Sequence, residues 1–317
     1  MLLSVVVPLF NEEANIKPFF EKVRNALHNF DYELILVDDG SRDNTVKMIE
    51  QNADERTKLI KFSRNFGQTP AMAAGIELAS GKYIVTIDGD LQNDPDDIPP
   101  MIEKLENEGL DVIAGRRNKR QDGFVLRIFP SKVANRIIRK LTGVYIRDYG
   151  CTLKLFKREI AQNLGLYGEM HRFIPVLAVM RGAKIGEIDV KHNPRLHGES
   201  KYSIARTTKV ISDLMFVIFL KKYALRPMHL FGTLGFFSFM GGIGISVYIG
   251  LLKLLDGKSD VTALIVLAAV LVLGGIQLIS SGFLAEQMLR TYFSGDKKPY
   301  IIQEIRSFAE SAKKDAL

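Results

Sequence analysis

Apolar positions fall into two regimes along this chain. Up to about residue 200 they come in short runs separated by polar or amphipathic stretches, and after His229 they come in two long unbroken blocks. Leu2 to Leu9 (LLSVVVPL) is nearly continuous, as in a parallel strand covered on both faces. Tyr32 to Val37, Lys58 to Phe62, Tyr83 to Ile87 and Asp111 to Ala114 repeat the pattern and predict four more strands. Between them, a helix is expected from Asn11-Glu-Glu-Ala-Asn15 to about Leu27, with acids in its first turn where the macrodipole favours them. Further helices are expected over Thr45 to Gln51 and over Pro70 to Ala79, the latter rich in small residues. Strands alternating with helices at this spacing predict an α/β domain with a doubly wound, mostly parallel sheet.

The second regime predicts membrane helices. Leu230 to Leu252 and Val261 to Ala285 hold no charged residue, and each exceeds the roughly 20 residues that cross a bilayer. The short connection makes them a hairpin, and Gly235, Ser238, Gly241, Gly242 and Gly244 give small-residue faces for close helix contact, including contact in a homo-oligomer. Ser203 to Arg226 is amphipathic and basic, the pattern of a helix lying in the lipid interface. Basic residues before the first span (Lys221, Lys222, Arg226) and after the second (Arg290, Lys297, Lys298) place both termini in the cytoplasm. The organisation expected is a catalytic domain over 1–202, interfacial helices over 203–229, the hairpin over 230–285 and a tail over 286–317, with Tyr300-Ile-Ile-Gln-Glu304 as an edge strand.

Composition narrows the chemistry. The chain has 317 residues, a net charge of +7 and one cysteine, Cys151, which excludes an internal disulfide and suits a reducing compartment. Met1 to Leu9 lacks the basic start of a signal peptide. The excess charge fits an anionic partner, whether nucleotide, phospholipid or nucleic acid. It is concentrated: Arg116, Arg117, Lys119, Arg120, Arg127, Lys132, Arg136, Arg139, Lys140 and Arg147 are countered between 115 and 147 by Asp122 alone. A run of this kind is either a solvated face or a phosphate site, since arginine forks hold phosphate oxygens bidentately.

The stretch Asp88-Gly-Asp90 stands where the fourth strand should end. Ligands of open α/β sheets gather at carboxyl ends of strands, and hard carboxylate oxygens there suit Mg2+ or Mn2+ with a diphosphate. Taken alone, an Asp-x-Asp is more often an ordinary solvated turn.

Four blocks in order change that balance: VVVPLFNEEANI, ELILVDDGSRDNT, FSRNFGQTPAMAAGIELASGKYIVTIDGDLQNDP and RLHGESKY. From Leu3 to about Ile211 the chain resembles the family-2 glycosyltransferases of GT-A fold. Within them it resembles most the polyprenyl-phosphate glycosyltransferases, which include dolichyl-phosphate mannose synthase and bacterial transferases to undecaprenyl phosphate. The resemblance implies a donor nucleotide site at Pro8, Asn11, Glu12, Asp39, Arg64, Gly67 and Gln68, with Asp39 at the base. It implies that Asp88 and Asp90 are the DXD motif, with Asp90 and Gln92 on the metal and Asp88 orienting the sugar or ribose. It implies an acceptor phosphate site at Arg117, Arg127 and Ser131, with Arg116 as the alternative to Arg117. Arg195 and Lys201, in the block that also holds His197, would close over the phosphates. Asp148 matches the region of an acid near the acceptor, and a positioning role suits it better than that of a base, because a phosphate monoester is largely ionised at neutral pH.

The function expected is metal-dependent, inverting transfer of a hexosyl group from a nucleotide sugar, UDP-glucose first, to undecaprenyl phosphate at the inner membrane of a bacterium. GDP-mannose, UDP-aminoarabinose, UDP-N-acetylhexosamine and a non-lipid glycan acceptor are the alternatives within the fold. A processive synthase is disfavoured because its QxxRW-type motif needs a tryptophan and the chain has none. An inactive scaffold and a transporter partner are the alternatives of another class. A nucleic-acid binder fits the charge but not the hairpin.

Overall fold

The computed structural model describes residues 2–117, 136, 138–140, 142–166, 170–194, 217, 219, 222–223, 226–256 and 261–293. The chain forms two compact units, Met1–Val217 and Ile218–Leu317.

The first unit is built on a seven-stranded sheet in the order β3-β2-β1-β4-β6-β5-β7. Its strands are β1 (Leu3–Leu9), β2 (Tyr32–Asp38), β3 (Thr57–Lys61), β4 (Tyr83–Thr86), β5 (Val112–Arg117), β6 (Lys154–Lys157) and β7 (Ile185–Val190). Six run parallel, and β6 lies antiparallel between β4 and β5. The apolar runs become strands because both faces are covered: Val5, Val6, Val7, Leu36, Val37, Ile84 and Val85 are all fully buried. Helices α1 (Glu13–Ala26), α2 (Thr45–Asn52), α3 (Gln68–Leu78) and α4 (Ile98–Asn107) connect the first five strands, and the short helices α5 (Arg158–Gln162) and α6 (Ile174–Met180) follow β6. Phe19 and Phe20 of α1 and Met101 and Leu105 of α4 fill the core against the strands.

Two strands lie beyond the five expected, each for a physical reason. β6 is four residues long with a lysine at either end, so it shows no apolar run. β7 is an edge strand, and its alternating Ile-Gly-Glu-Ile-Asp-Val is largely part-buried rather than buried. Helix α3 starts at Gln68, two residues before the expected Pro70, since proline in a first helical turn lacks only an N–H that has no helical partner. The chain order reverses between β1 and β4, and the loops leaving β1, β2 and β4 meet at that switch point.

The second unit is an antiparallel pair of long helices, α7 (Pro227–Asp256) and α8 (Thr262–Phe293). Its seam is a row of close approaches. A side chain at Gly235 would lie 2.7 Å from the carbonyl of Gly275, and one at Gly242 would lie 2.9 Å from that of Ala268. Ser238 donates to the carbonyl of Leu271 across the seam at 2.8 Å. Small residues thus recur every seventh position in both helices, at 235 and 242 and at 268, 275 and 282, the period of left-handed helix packing. Gly241 and Gly244, expected on a contact face, have nothing within 4 Å and turn away from the partner helix. Only 17% and 11% of the most apolar stretches of the two helices are buried. Leu254, Leu255, Leu273 and Met288 are among the exposed side chains, so the pair is no core of a soluble domain, and an apolar surface of this extent belongs in a bilayer. The interfacial segment over 203–216, the interval 257–260 and the tail beyond 293, with its expected edge strand, lie outside the described residues.

Candidate active site

The carboxyl ends of β1, β2 and β4 build one cleft wall from their loops. After β1, Asn11 takes a left-handed conformation with φ 54°. Its side-chain carbonyl accepts from the Arg42 amide at 2.8 Å, and its own amide donates to Ser41 Oγ at 2.9 Å. Glu12 ties the same loops together, its amide donating to Thr45 Oγ1 at 2.8 Å while its carboxylate receives Asn15 Nδ2 at 2.6 Å. Pro8 lies within β1 opposite Val37. Asn11 and Glu12 thereby fix the shape of the loops at which the nucleotide is expected.

Asp39 follows β2 and is buried. Its two oxygens accept from the amides of Phe66 at 2.6 Å and Gly67 at 2.8 Å. Gly67 has φ 105°, a conformation strained for any residue with a side chain, and it caps α3. Asp39 therefore sets the loop that carries Arg64, whose guanidinium stacks over the half-exposed ring of Phe66 at 4.3 Å from its centroid. The next residue, Gln68, reaches the Asp-x-Asp turn directly: its Nε2 donates to Asp88 Oδ1 at 2.8 Å.

At that turn, Gly89 packs so tightly that a side chain there would lie 2.2 Å from Leu9 Cδ2. Asp88 receives Gln68 on one oxygen and Thr152 Oγ1 on the other, at 2.5 Å. Asp90 is buried, and its Oδ1 accepts from the Gln92 amide at 3.2 Å. Asp88 keeps some contact with solvent, yet the protein packed round its carboxylate and the charge of Asp90 push its pKa up to about 6, against the pull of Thr152, Lys154 and Arg117. Two carboxylates on one turn with this surplus of negative charge fit a divalent cation, which would relieve it. Among the described residues no three carboxylate, imidazole or thiol side chains converge as a metal cage, so Asp90 and its neighbours would leave most ligand positions to a bound substrate.

On the other side of β4, the last residues of β5 divide between two acids. Arg117 forms a two-pronged ion pair with buried Asp148, Nε to Oδ2 at 2.7 Å and Nη2 to Oδ1 at 2.9 Å. Arg116 pairs with Asp189 of β7, with Nη2 to Oδ2 at 2.6 Å. The charge of Arg117 acts to lower the Asp88 pKa. Asp148 holds that guanidinium in place, the geometry of a positioning acid. Arg127, Ser131, Arg195, His197 and Lys201 lie outside the described residues.

Two residues of this site escaped sequence reasoning. Thr152 and Lys154 flank a buried Leu153 at the start of β6, and Lys154 is almost completely enclosed at 2% exposure. The signal for Lys154 was a lysine inside the alternating run Thr-Leu-Lys-Leu-Phe. Nothing in the sequence marked Thr152.

Residues 4–165 match the family described as glycosyl transferase family 2. Over 312 residues the chain is 45% identical to a dodecaprenyl-phosphate galacturonate synthase of Rhizobium johnstonii, covering 96% of this chain and 92% of that protein. It is 35% identical over 326 residues to an undecaprenyl-phosphate 4-deoxy-4-formamido-L-arabinose transferase of Aeromonas hydrophila, covering 99% and 97%. Among solved structures, glucosyl-3-phosphoglycerate synthase of Mycobacterium tuberculosis superposes with a TM-score of 0.51 at 17% identity, over 69% of this chain and 79% of that one, a likeness of fold. With the Asp-x-Asp turn at the switch point of a GT-A sheet and relatives matched over nearly their whole length, the chain belongs to glycosyl transferase family 2 and, within it, to the polyprenyl-phosphate glycosyltransferases.

Proposed function

We propose that this protein transfers a sugar from a nucleotide sugar to the phosphate of a polyprenyl phosphate at the cytoplasmic face of a membrane. The observation that carries the reading is the Asp88–Asp90 turn at the end of β4, set between the Asp39 loop on one side and the Arg117–Asp148 pair on the other. The nucleotide lies along the loops after β1, β2 and β3, whose shape Asn11, Glu12 and Asp39 fix. Asp88, clamped by Gln68 and Thr152, orients the donor sugar or ribose. Asp90, with Gln92, holds Mg2+ or Mn2+, and the bound metal supplies neutralisation of the diphosphate charge. Arg117, Arg127 and Ser131 place the acceptor phosphate, and Arg195 and Lys201 close over the phosphates.

In the reaction an oxygen of the acceptor phosphate forms a bond to the anomeric carbon as the bond to the nucleoside diphosphate breaks on the opposite face, so the anomeric configuration inverts. No base is required, because a phosphate monoester has a second pKa near 6. Asp148, committed to Arg117, fits that economy: its work is orientation, which is worth several kcal/mol when the bound geometry is close to attack. The hairpin anchors the chain in the bilayer that holds the lipid acceptor.

For the sugar, the galacturonate and 4-deoxy-4-formamido-L-arabinose of the relatives' names move the first choice from UDP-glucose to nucleotide-linked galacturonate. The test is transfer of radiolabel from a panel of UDP- and GDP-linked uronates, aminodeoxy sugars and neutral hexoses to dodecaprenyl and undecaprenyl phosphate, with Mg2+, Mn2+ or EDTA. A lipid-extractable, metal-dependent product from galacturonate is the expected result. Product from glucose alone corrects the sugar, and donor hydrolysis without lipid product overturns the acceptor.

A further inference from the structure

Lys154 lies in the middle of the sheet, on the one antiparallel strand. It is paired with Thr86 of β4 on one side and with Ala114 of β5 on the other. Thr86 is two residues before Asp88, and Ala114 is three before Arg117, so β6 carries its ammonium between the donor and acceptor halves of the site. The side chain is buried, and among the described residues its hydrogen bond is to the carbonyl of Cys151. That carbonyl precedes Thr152, whose hydroxyl clamps Asp88. Burial pulls the pKa of Lys154 down, as does Arg117, while the charges of Asp148 and Asp88 act to raise it. An apolar residue would pack this buried position in the sheet at no electrostatic cost, so an enclosed ammonium with one carbonyl acceptor is a costly choice for structure alone.

We infer that Lys154 is a resident counter-cation for the Asp88–Asp90 turn, holding part of the position in the electrostatic field that the divalent metal fills, so that metal binds firmly only together with the nucleotide. This rests on the metal-dependent reading above. A fixed positive charge at the start of β6 offsets the two carboxylates when the site is empty, which keeps the turn folded. The same charge opposes an incoming dication. A nucleoside diphosphate adds negative charge and restores the attraction, so metal and donor enter as one unit and the bare enzyme does not hold metal unproductively. The Gln68 and Thr152 hydrogen bonds to Asp88 cannot do this, since both come from neutral groups.

The consequence has a sign that a merely structural lysine would not give. Removing its charge should tighten metal binding to the nucleotide-free protein while slowing transfer. Free Mn2+ would be measured by electron paramagnetic resonance with the full-length protein in detergent, with and without UDP, for wild type, Lys154→Met, Lys154→Gln and Lys154→Arg. The expected result is Mn2+ affinity raised about tenfold without UDP in the Met and Gln variants, a smaller enhancement by UDP, and slower transfer, with Lys154→Arg returning toward wild type. Unchanged or weaker Mn2+ binding in a folded Met or Gln variant overturns the inference, and so does failure of both to fold, which would make Lys154 structural. If wild type binds no Mn2+ with or without UDP, the metal-dependent reading itself falls, and this inference with it.

Discussion

Two acids at opposite ends of the same sheet show how differently one fold treats a carboxylate. Glu33, at the amino end of β2, is 2% exposed. Burial would raise its pKa, yet Lys58 at 2.7 Å, Ser4 Oγ at 2.6 Å, and the Ser80 amide and hydroxyl at 2.7 and 2.8 Å hold it down at about 2. Asp88, past the carboxyl end of β4, is also enclosed and receives two good hydrogen bonds, yet burial and the Asp90 charge leave it at about 6. Hydrogen-bond donors alone do not separate the two cases. Glu33 has a lysine in contact that draws its pKa down, whereas Asp88 has the charge of Asp90 pushing its pKa up and is lowered by Lys154 and Arg117 less than it is raised. One end of the sheet is electrostatically complete, and the other waits for charge from outside, which is the physical mark of a binding site.

Mutation should split the two ends cleanly. The largest effect is expected at Asp90: replacement by alanine should lower transfer at least about a thousandfold, about 4 kcal/mol of transition-state stabilisation, while the thermal midpoint without metal stays level or rises. Steady-state transfer beside a melting curve checks both halves, and a fall in midpoint would erase the contrast with Glu33. At the other end, Glu33→Ala should cost about 3 kcal/mol of stability, lowering the midpoint by about 6–10 °C, with transfer per folded molecule unchanged. A loss of specific activity there would mean that the amino edge also reports to the site.

The sequence revealed the two ends unequally, and for the same reason. Five of the six parallel strands were legible, β1, β2, β4 and β5 because burial on both faces demands apolar runs and the part-buried β3 from the short Leu59-Ile60 core of its run. Asp88 and Asp90 were legible because acids after such a run stand at a strand's carboxyl end. The membrane pair was legible from length alone. Glu33 gave no signal, since one acid in Tyr-Glu-Leu-Ile-Leu-Val reads as the edge of a strand until Ser4, Lys58 and Ser80 are brought to it from three other segments. The clamp on Asp88 was equally hidden, because Thr152 comes from 64 residues further along the chain. Strand β6, which delivers both Thr152 and Lys154, was missed because it is four residues long and only Leu155 and Phe156 in it are apolar, and one of its terminal lysines is the buried charge. The polar groups that complete a site are long-range pairings, and periodicity sees only what is local.

The opposed pKa shifts give a pH test of the comparison in EDTA. Glu33 titrates near 4.5 unfolded and about 2 folded, so its stabilisation is present above pH 4.5 and is lost as the pH falls toward 2. Asp88 goes from 3.8 unfolded to about 6 folded, so folding favours its protonated form: that contribution is full below pH 3.8 and is lost as the pH rises through 6. Asp88→Asn should therefore gain up to about 3 kcal/mol over wild type at pH 7 and nothing at pH 3.5. Glu33→Gln should lose most at pH 7 and little near pH 2.5. Midpoints across pH 2.5–8 check this, and parallel curves for the two variants would show that the ends do not differ electrostatically.

The smallest expected effect sharpens what the site end gains from its neutral hydrogen bonds. Thr152→Val keeps the shape of the side chain and removes the hydroxyl that donates to Asp88 at 2.5 Å. That bond favours the ionised carboxylate, so its loss should raise the Asp88 pKa further and free one oxygen to turn. Transfer should fall about tenfold, in the range of about 1.5 kcal/mol for a hydrogen bond to a charged group, chiefly in kcat if Asp88 orients the sugar for attack and in KM if it only holds the ribose. Gln68→Ala, which strips the other oxygen, should act in the same sense. The double variant should lose less than the product of the two, because a carboxylate released by one change has less orientation left to lose to the second. A double variant that multiplies the single effects would show that Gln68 and Thr152 act on separate parts of the donor rather than through Asp88.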